Sequence, residues 1–225
     1  MADEPSAAYD AVADSYSRAL DPDGTGLRDP VLAALIGLPA GKAVLSVACG
    51  QGQDARLLAD LGARVTGVDV SEGMLSHARR HEASRPRGIT YVHGDAQDLA
   101  AFAEASFDGA VCHMALMDIP RLGATLRSIA RVLRADGWFV CSIVHPCFQG
   151  HVDIVSDYLV DHRYAKRVPW DWLPTHAYHR PLSAYVNELA SGGFRITRMV
   201  EAHHDRSSEG VVPGLLYLRA VKTAA

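Results

Sequence analysis

Among the chain's eleven histidines, His145 stands apart. It follows Trp138-Phe139-Val140-Cys141-Ser142-Ile143-Val144, an apolar run that reads as a buried strand. Strands of an open α/β sheet present their carboxyl ends to ligands. An imidazole, with an ordinary pKa of about 6.5, can take up a proton there at neutral pH. His145 is therefore the first candidate for a general base, with His179 and His176 behind it. A second set of residues suits grip rather than proton transfer. Val44-Leu45-Ser46-Val47 reads as a strand and breaks into Ala48-Cys49-Gly50-Gln51-Gly52, where two glycines let bare backbone approach a ligand. Asp54 follows, and Ala55 to Leu61 reads as a helix with Leu57, Leu58 and Leu61 on one face, which sets a small ligand at a helix N-terminus. The next strand, Arg64 to Val70, delivers Asp69, a carboxylate able to accept from both hydroxyls of a ribose. A metal site is not expected. His77 and His81 lie one helical turn apart without a third ligand, and His145 with Cys147 has no further ligand at suitable spacing.

The elements that must position these groups alternate. Ser6 to Leu20 reads as a helix, and Asp21 to Gly26 as a hinge-like link. A second helix begins at Pro30 with Asp29 as its cap. After Asp69, Ser71 caps another helix and Glu72 suits its positive end. Gly88 to Gly94 reads as the third strand, Ser106 to His113 as the fourth, Pro120 to Leu133 as a helix, and Trp138 to Val144 as the fifth strand. From Gly150 to Arg180 the alternation stops and the chain reads as loop, dense in aromatics and histidines. Leu182 to Ala190 reads as a helix, Phe194 to Val200 as the sixth strand and Val211 to Val221 as the seventh. This is one α/β domain over 1–225: a three-layer αβα sandwich around a seven-stranded, mostly parallel sheet.

Composition narrows the function. A length of 225 residues, 48% hydrophobic and 21% charged, fits a soluble globular chain. A net charge of -4 gives no footprint for nucleic acid. No apolar run reaches the roughly 20 residues that span a bilayer, and Met1 to Pro5 lacks the features of a signal peptide. Cys49, Cys112, Cys141 and Cys147 form no close pair and read as reduced thiols, which points to the cytoplasm.

The glycine turn, the strand-end Asp69, the Gly94-Asp95-Ala96 segment, Phe107-Asp108-x-x-Val111 and Arg131-Val132-Leu133-Arg134-x-x-Gly137 together resemble the class I S-adenosylmethionine-dependent methyltransferases of small-molecule type. The usual first motif there is an acid followed by three alternate glycines. Here Ser46 takes the acid's place and Ala48 the first glycine's, while Gly50 and Gly52 match. A dinucleotide-binding fingerprint fits worse, because Ala48 and Gln53 stand at its first and third glycines.

The resemblance implies strand order 3-2-1-4-5-7-6 with strand 7 antiparallel, a helical lid over residues 1–40 and a substrate cap over 146–180. It implies S-adenosyl-L-methionine as cofactor and S-adenosyl-L-homocysteine as product. The implied cofactor contacts are Tyr16, Ala48, Cys49, Gly50, Gly52, Asp69, Val70, Met74, Asp95, Ala96, Gln97, Cys112 and His113. Asp95 would accept from the adenine amine, and Cys112 and His113 would hold the amino-acid end. The acceptor, aromatic or partly apolar, would meet Met117, Phe148, Tyr164, Trp170, Trp172 and Tyr178. The expected reaction is in-line methyl transfer to a small molecule, an oxygen of a secondary metabolite, by a monomer or homodimer. Ser46 and Ala48 keep two other readings open: a relative that catalyses a cyclisation or rearrangement, and a protein that only binds the cofactor.

Overall fold

The structure is a computed structural model and describes residues 5–21, 29–147, 158–165, 176–203 and 213–223. Helices α1 (Pro5–Leu20) and α2 (Pro30–Ile36) precede strand β1 (Ala43–Val47). Then come α3 (Gln53–Asp60), β2 (Arg64–Asp69), α4 (Glu72–Ser84), β3 (Thr90–His93) and β4 (Phe107–His113). Helix α5 (Leu122–Val132) leads into β5 (Leu133–Val144). A short pair, β6 (His162–Ala165) and β7 (His176–His179), is followed by α6 (Leu182–Ser191), β8 (Phe194–Ala202) and β9 (Leu215–Lys222).

Seven strands form one sheet in the order β3-β2-β1-β4-β5-β9-β8. The pairs β1–β2, β2–β3, β1–β4 and β4–β5 are parallel, and β9 runs antiparallel between β5 and β8. This is the expected order, since β8 and β9 are the sixth and seventh strands of that sheet. The central strands are apolar on both faces, as sheets covered by helices on both sides require. On β1, Val44 joins one core with Leu32 and Leu35 of α2 and Leu58 of α3. Leu45 and Val47 point the other way, into a core with Leu126 and Ile129 of α5 and Leu189 of α6. Burying a side chain such as Leu45 contributes about 1.5–3 kcal/mol.

The helix caps follow the sequence. Asp29 accepts from Leu32 N at 2.9 Å with Pro30 behind it, and Ser71 accepts from Met74 N at 3.1 Å. One stretch departs from expectation. The insertion, read as loop, contains the antiparallel pair β6–β7. Each strand has only four residues, and His176-Ala177-Tyr178-His179 carries no apolar run to mark it. Its alternation lies in burial alone: Ala177 and His179 are buried while His176 and Tyr178 are half-exposed.

Candidate active site

Parallel pairing brings the carboxyl ends of β1, β2, β3 and β4 to one edge of the sheet. At the end of β1 the chain turns through left-handed conformations at Ala48 (φ 51°), Gly50 (φ 52°) and Gly52 (φ 82°) before α3 begins. Asp69, from the end of β2, reaches back to this bend. Its Oδ2 accepts from Gly50 N at 2.7 Å and its Oδ1 from Ser71 N at 2.9 Å. A carboxylate has about four lone-pair positions, so two remain for a pair of vicinal hydroxyls. Burial raises the Asp69 pKa, and the nearby backbone amides, those of Ser71 and Gly50 first, oppose that rise. Met74, buried in the first turn of α4, packs against the bend: a Cβ on Gly50 would stand 3.2 Å from its Cε. Val70, next to Asp69, is half-buried and accepts from His93 Nε2 at 3.0 Å. Cys49 is buried, and burial pushes its thiol well up, with Asp69 and Asp54 adding to the effect.

Beyond β3, Asp95 accepts from Gln97 N at 2.8 Å and from Gln97 Nε2 at 2.9 Å. Gln97 is held in turn by Arg121, whose Nε donates to Oε1 at 2.9 Å. Ala96, buried between them, accepts from Ser128 Oγ at 2.6 Å. This short turn is thus fixed from α5 without using the outer lone pairs of Asp95. At the end of β4, Cys112 turns its side chain into the α5/α6 core, which leaves only its backbone for the site. His113 sits on the opposite face, with Nδ1 2.7 Å from Ser142 Oγ. Ser142 Oγ also accepts from Met114 N at 3.1 Å, so it ties the end of β4 to β5. Burial lowers the His113 pKa to about 4, so this imidazole is neutral at neutral pH.

Helix α1 lies across this edge. Asp10 accepts from Ser71 Oγ at 2.6 Å and Gly73 N at 2.8 Å, and Asp14 meets His77 Nε2 at 2.8 Å. Ser17 bonds Gln51 at the bend, Gln53 Nε2 donates to Leu20 O at 2.9 Å, and Asp21 forms a buried ion pair with Arg56. Tyr16 is held between Asp118, Asp69 and Asp54; burial first, and then these three carboxylates, raise its pKa. Tyr9 touches Tyr16 edge-on and donates to Asp118 Oδ2 at 2.9 Å. Helix α1 therefore covers both the end of β2 and the loop after β4.

That loop, residues 114–120, is fastened from the insertion. Tyr178 N donates to Met117 O at 2.7 Å. Arg180, 6% exposed, caps Leu116 O at 3.2 Å, Ile119 O at 2.7 Å and Pro120 O at 2.8 Å, and its guanidinium lies over the Tyr178 ring. Met117 is buried beneath it.

The three candidate histidines stand in different surroundings. His145 Nε2 meets Glu201 Oε1 at 2.7 Å, and Cys147 N donates to Nδ1 at 3.1 Å. With both ring nitrogens engaged and 1% exposure, His145 closes the end of β5 against β8. His179 is buried and donates from Nε2 to Tyr158 O at 2.9 Å. His176 is half-exposed and accepts from Arg163 at 3.1 Å. Phe148, Trp170 and Trp172 lie outside the described residues, as does the side chain of Tyr164.

The bend also fits a polar ligand. Gln51, 2% exposed, has an Nε2 with no hydrogen-bond partner among the described residues. Such an orphan costs about 1–3 kcal/mol until something accepts from it. Sequence reading missed Gln51, Asp118 with Tyr9, Arg180, and the pairing of Ser46 with Asp54. The last was the most accessible, since the acid missing at Ser46 reappears two residues after Gly52.

Comparison with known proteins bears on this geometry. Residues 45–141 match the family model described as "Methyltransferase domain", the span from the first strand through the fifth. That span is less than half of this chain, and over it the chain is similar to methyltransferase domains. A ubiquinone biosynthesis O-methyltransferase of Thiobacillus denitrificans is 35% identical over 106 residues, 47% of this chain and 46% of that protein. A demethylmenaquinone methyltransferase of Symbiobacterium thermophilum is 41% identical over 107 residues, 45% of this chain and 42% of that one. The chain thus spans about half the length of the curated relatives it matches. The crystal structure of an S-adenosylmethionine-dependent methyltransferase from Mesorhizobium loti covers 86% of this chain and 96% of its own, with 27% identity and a TM-score of 0.72. S-adenosylmethionine is the cofactor of the methyltransferases that this chain resembles. Among the described residues no helix is long and apolar enough to cross a membrane.

Proposed function

We propose that the protein transfers the methyl group of S-adenosylmethionine to an oxygen on a small aromatic ring. The observation that carries the cofactor half is Asp69, oriented by Gly50 N and Ser71 N with two lone-pair positions left for a ribose. In this reading Ala48 to Gly52 hold the methionine end, with backbone at Cys112 and His113 closing it. Asp95 and Ala96 meet the adenine, with Gln97 bracing them, while Val70 and Met74 flank the nucleoside and Tyr16 covers it.

The acceptor half rests on the loop after β4 and its cover. Met117 and Tyr178 form one wall, and residues 146–180 serve as a cap that brings Phe148, Tyr164, Trp170 and Trp172. The names of the two quinone-pathway relatives favour a phenolic ring over other flat acceptors. Transfer from a sulfonium to a phenol oxygen needs alignment, which can be worth up to about 7–11 kcal/mol, and a group to take the phenol proton. His145 at the end of β5 and His179 on β7, whose Nε2 donates to Tyr158 O at 2.9 Å, are candidates for that second role. His176 is the other candidate on β7. The four cysteines, none of them in a disulfide, suit a cytoplasmic setting.

Titration with S-adenosylmethionine followed by labelled methyl transfer to phenolic quinone precursors tests the reading. Asp69→Ala is expected to weaken cofactor binding more than about tenfold, the loss of charge-assisted hydrogen bonds. Unchanged affinity would remove the ribose role. Cofactor binding without any labelled product would leave a protein that binds the cofactor and does other work.

A further inference from the structure

Beneath the glycine bend the chain buries a carboxyl group that nothing above has used. Asp54, 5% exposed, stands in the first turn of α3. Its Oδ2 accepts from Ser46 Oγ at 2.8 Å and its Oδ1 from Ala55 N at 2.9 Å. Among the described residues it makes no ion pair. The cation nearest in sequence, Arg56, is committed elsewhere: its guanidinium pairs with Asp21 and donates to Gln51 O at 2.8 Å. A buried carboxylate without a cation is costly, and a fold that keeps one at the mouth of a binding bend has a reason to.

We propose that Asp54, gripped by Ser46 under the bend, is a cofactor-binding residue that supplies the counter-charge for the cationic end of S-adenosylmethionine. The inference rests on the cofactor reading above. Its chemistry is charge matching. The ligand carries a sulfonium and an ammonium against one carboxylate, while the bend itself offers backbone and the orphaned Gln51 amide. Ser46 removes a carboxylate from the end of β1, and Asp54 restores one at the same place from the next helix. The hydrogen bond between them fixes the direction in which that charge faces.

The groups around Asp54 make it a proton-linked site. Ser46 on β1 bonds it, and Cys49 in the bend, Tyr16 of α1, Tyr91 of β3, Arg56 of its own helix and, across the sheet, Cys112 of β4 are within its electrostatic reach. Asp69, bound to the same bend through Gly50 N, adds a second acid. Only Arg56 among these is cationic. Burial pushes the Asp54 pKa up to about 7, and the Ser46 bond is the largest effect opposing that rise. An arriving cation favours the ionised form. Cofactor entry therefore releases the Asp54 proton to solvent, and affinity rises with pH up to about neutrality and levels off above it.

The test is isothermal calorimetry of the full chain with S-adenosylmethionine, from pH 6 to pH 7.5, in buffers of different ionisation heat. The wild type is expected to bind about eightfold more tightly at pH 7.5 than at pH 6, relative to Asp54→Asn over the same range, and to release about half a proton per cofactor near pH 7. Asp54→Asn should bind more weakly at pH 7.5 and show neither effect. Ser46→Ala should keep the pH dependence with its midpoint moved to higher pH, and it serves if the Asn variant does not fold. Tight binding by wild type with the same pH profile as Asp54→Asn, or Ser46→Ala with an unmoved midpoint, overturns this inference and leaves the cofactor reading standing. Absence of binding by wild type at pH 7.5 overturns both.

Discussion

Arg180 offers the sharpest test of how the acceptor side is built. Its guanidinium is 6% exposed and donates to three carbonyls of the loop after β4. Arg180→Met keeps much of the side-chain volume and removes every donor. Three hydrogen bonds from a charged group, at about 1.5–3 kcal/mol each, would sum to well over 4 kcal/mol if independent. They are not independent, and deleting a buried cation also returns its desolvation cost. A net loss of about 3 kcal/mol is expected. At about 2–4 °C per kcal/mol for a chain of this size, the melting temperature should fall by about 6–12 °C. The loss is local to the acceptor wall, because the same carbonyl run holds Met117 and Asp118 in place. Acceptor KM should therefore rise about tenfold or more, while the cofactor Kd stays within about twofold. Thermal melts followed by near-ultraviolet circular dichroism, with steady-state kinetics and cofactor titration, read all three quantities. A melting temperature within about 2 °C of wild type together with an unchanged KM would refute the idea that Arg180 holds this wall.

Other expectations follow from single contacts. Gly52→Ala places a Cβ 2.3 Å from Tyr91 Oη at φ +82°, so stability should drop by about 1–3 kcal/mol; Tyr91→Phe in that background should recover part of the loss in urea unfolding. His145→Asn should lower the urea midpoint while kcat/KM stays within a few-fold, whereas His179→Asn should cut kcat by about a hundredfold or more; the reverse pattern in kinetics would make His145 the base. Stability against pH separates two buried groups of opposite sign. His113, held down to about 4 from 6.5, loses stability as pH falls through that window. Asp54, held up at about 7 from 3.8, stabilises fully below pH 3.8 and loses that contribution as pH rises to 7. Each is worth roughly 3–4 kcal/mol, so they offset one another in wild type between pH 4 and 6.5. Asp54→Asn should leave His113 unopposed, and its urea midpoint should climb with pH there.

The sheet was legible because its signals are local. Val44 to Val47, Val65 to Asp69 and Trp138 to Val144 are apolar runs ended by turn residues, and the caps at Asp29 and Ser71 are read from a few neighbouring positions. The bend and the strand-end carboxylate were legible for the same reason, since Gly50, Gly52 and Asp69 are marked by backbone conformation and strand position. The acceptor side was not. Its wall depends on Arg180 reaching the carbonyls of residues 116, 119 and 120 across some 60 positions of sequence, and a carbonyl has no residue type to betray it. The partner of His145 was hidden for a related reason. The place of His145 at a strand end was right, but Glu201, which holds its Nε2, stands 56 positions away in a strand read only as far as Val200. The hairpin in the insertion was missed because four-residue strands rich in histidine carry no hydrophobic period.

The same edge also shows how the site is covered. Helix α1 is joined to the domain along its length. Near its start, Tyr9 donates to the buried Asp118 at 2.9 Å. Near its middle, Asp10 accepts from the buried Ser71 and from Gly73 N, and Asp14 meets His77 at an exposed position. Toward its end, Ser17 bonds a buried Gln51, and Asp21 pairs with Arg56 with both side chains almost wholly out of solvent. Removing one partner of such a pair costs about 3–5 kcal/mol, against roughly 1 kcal/mol or less for an exposed contact such as that of Asp14. Buried contacts stand toward both ends of the helix, so a ligand entering beneath it would have to displace Tyr9 from Asp118 as well as the contacts in the middle, while Asp54 stays on α3 under the bend.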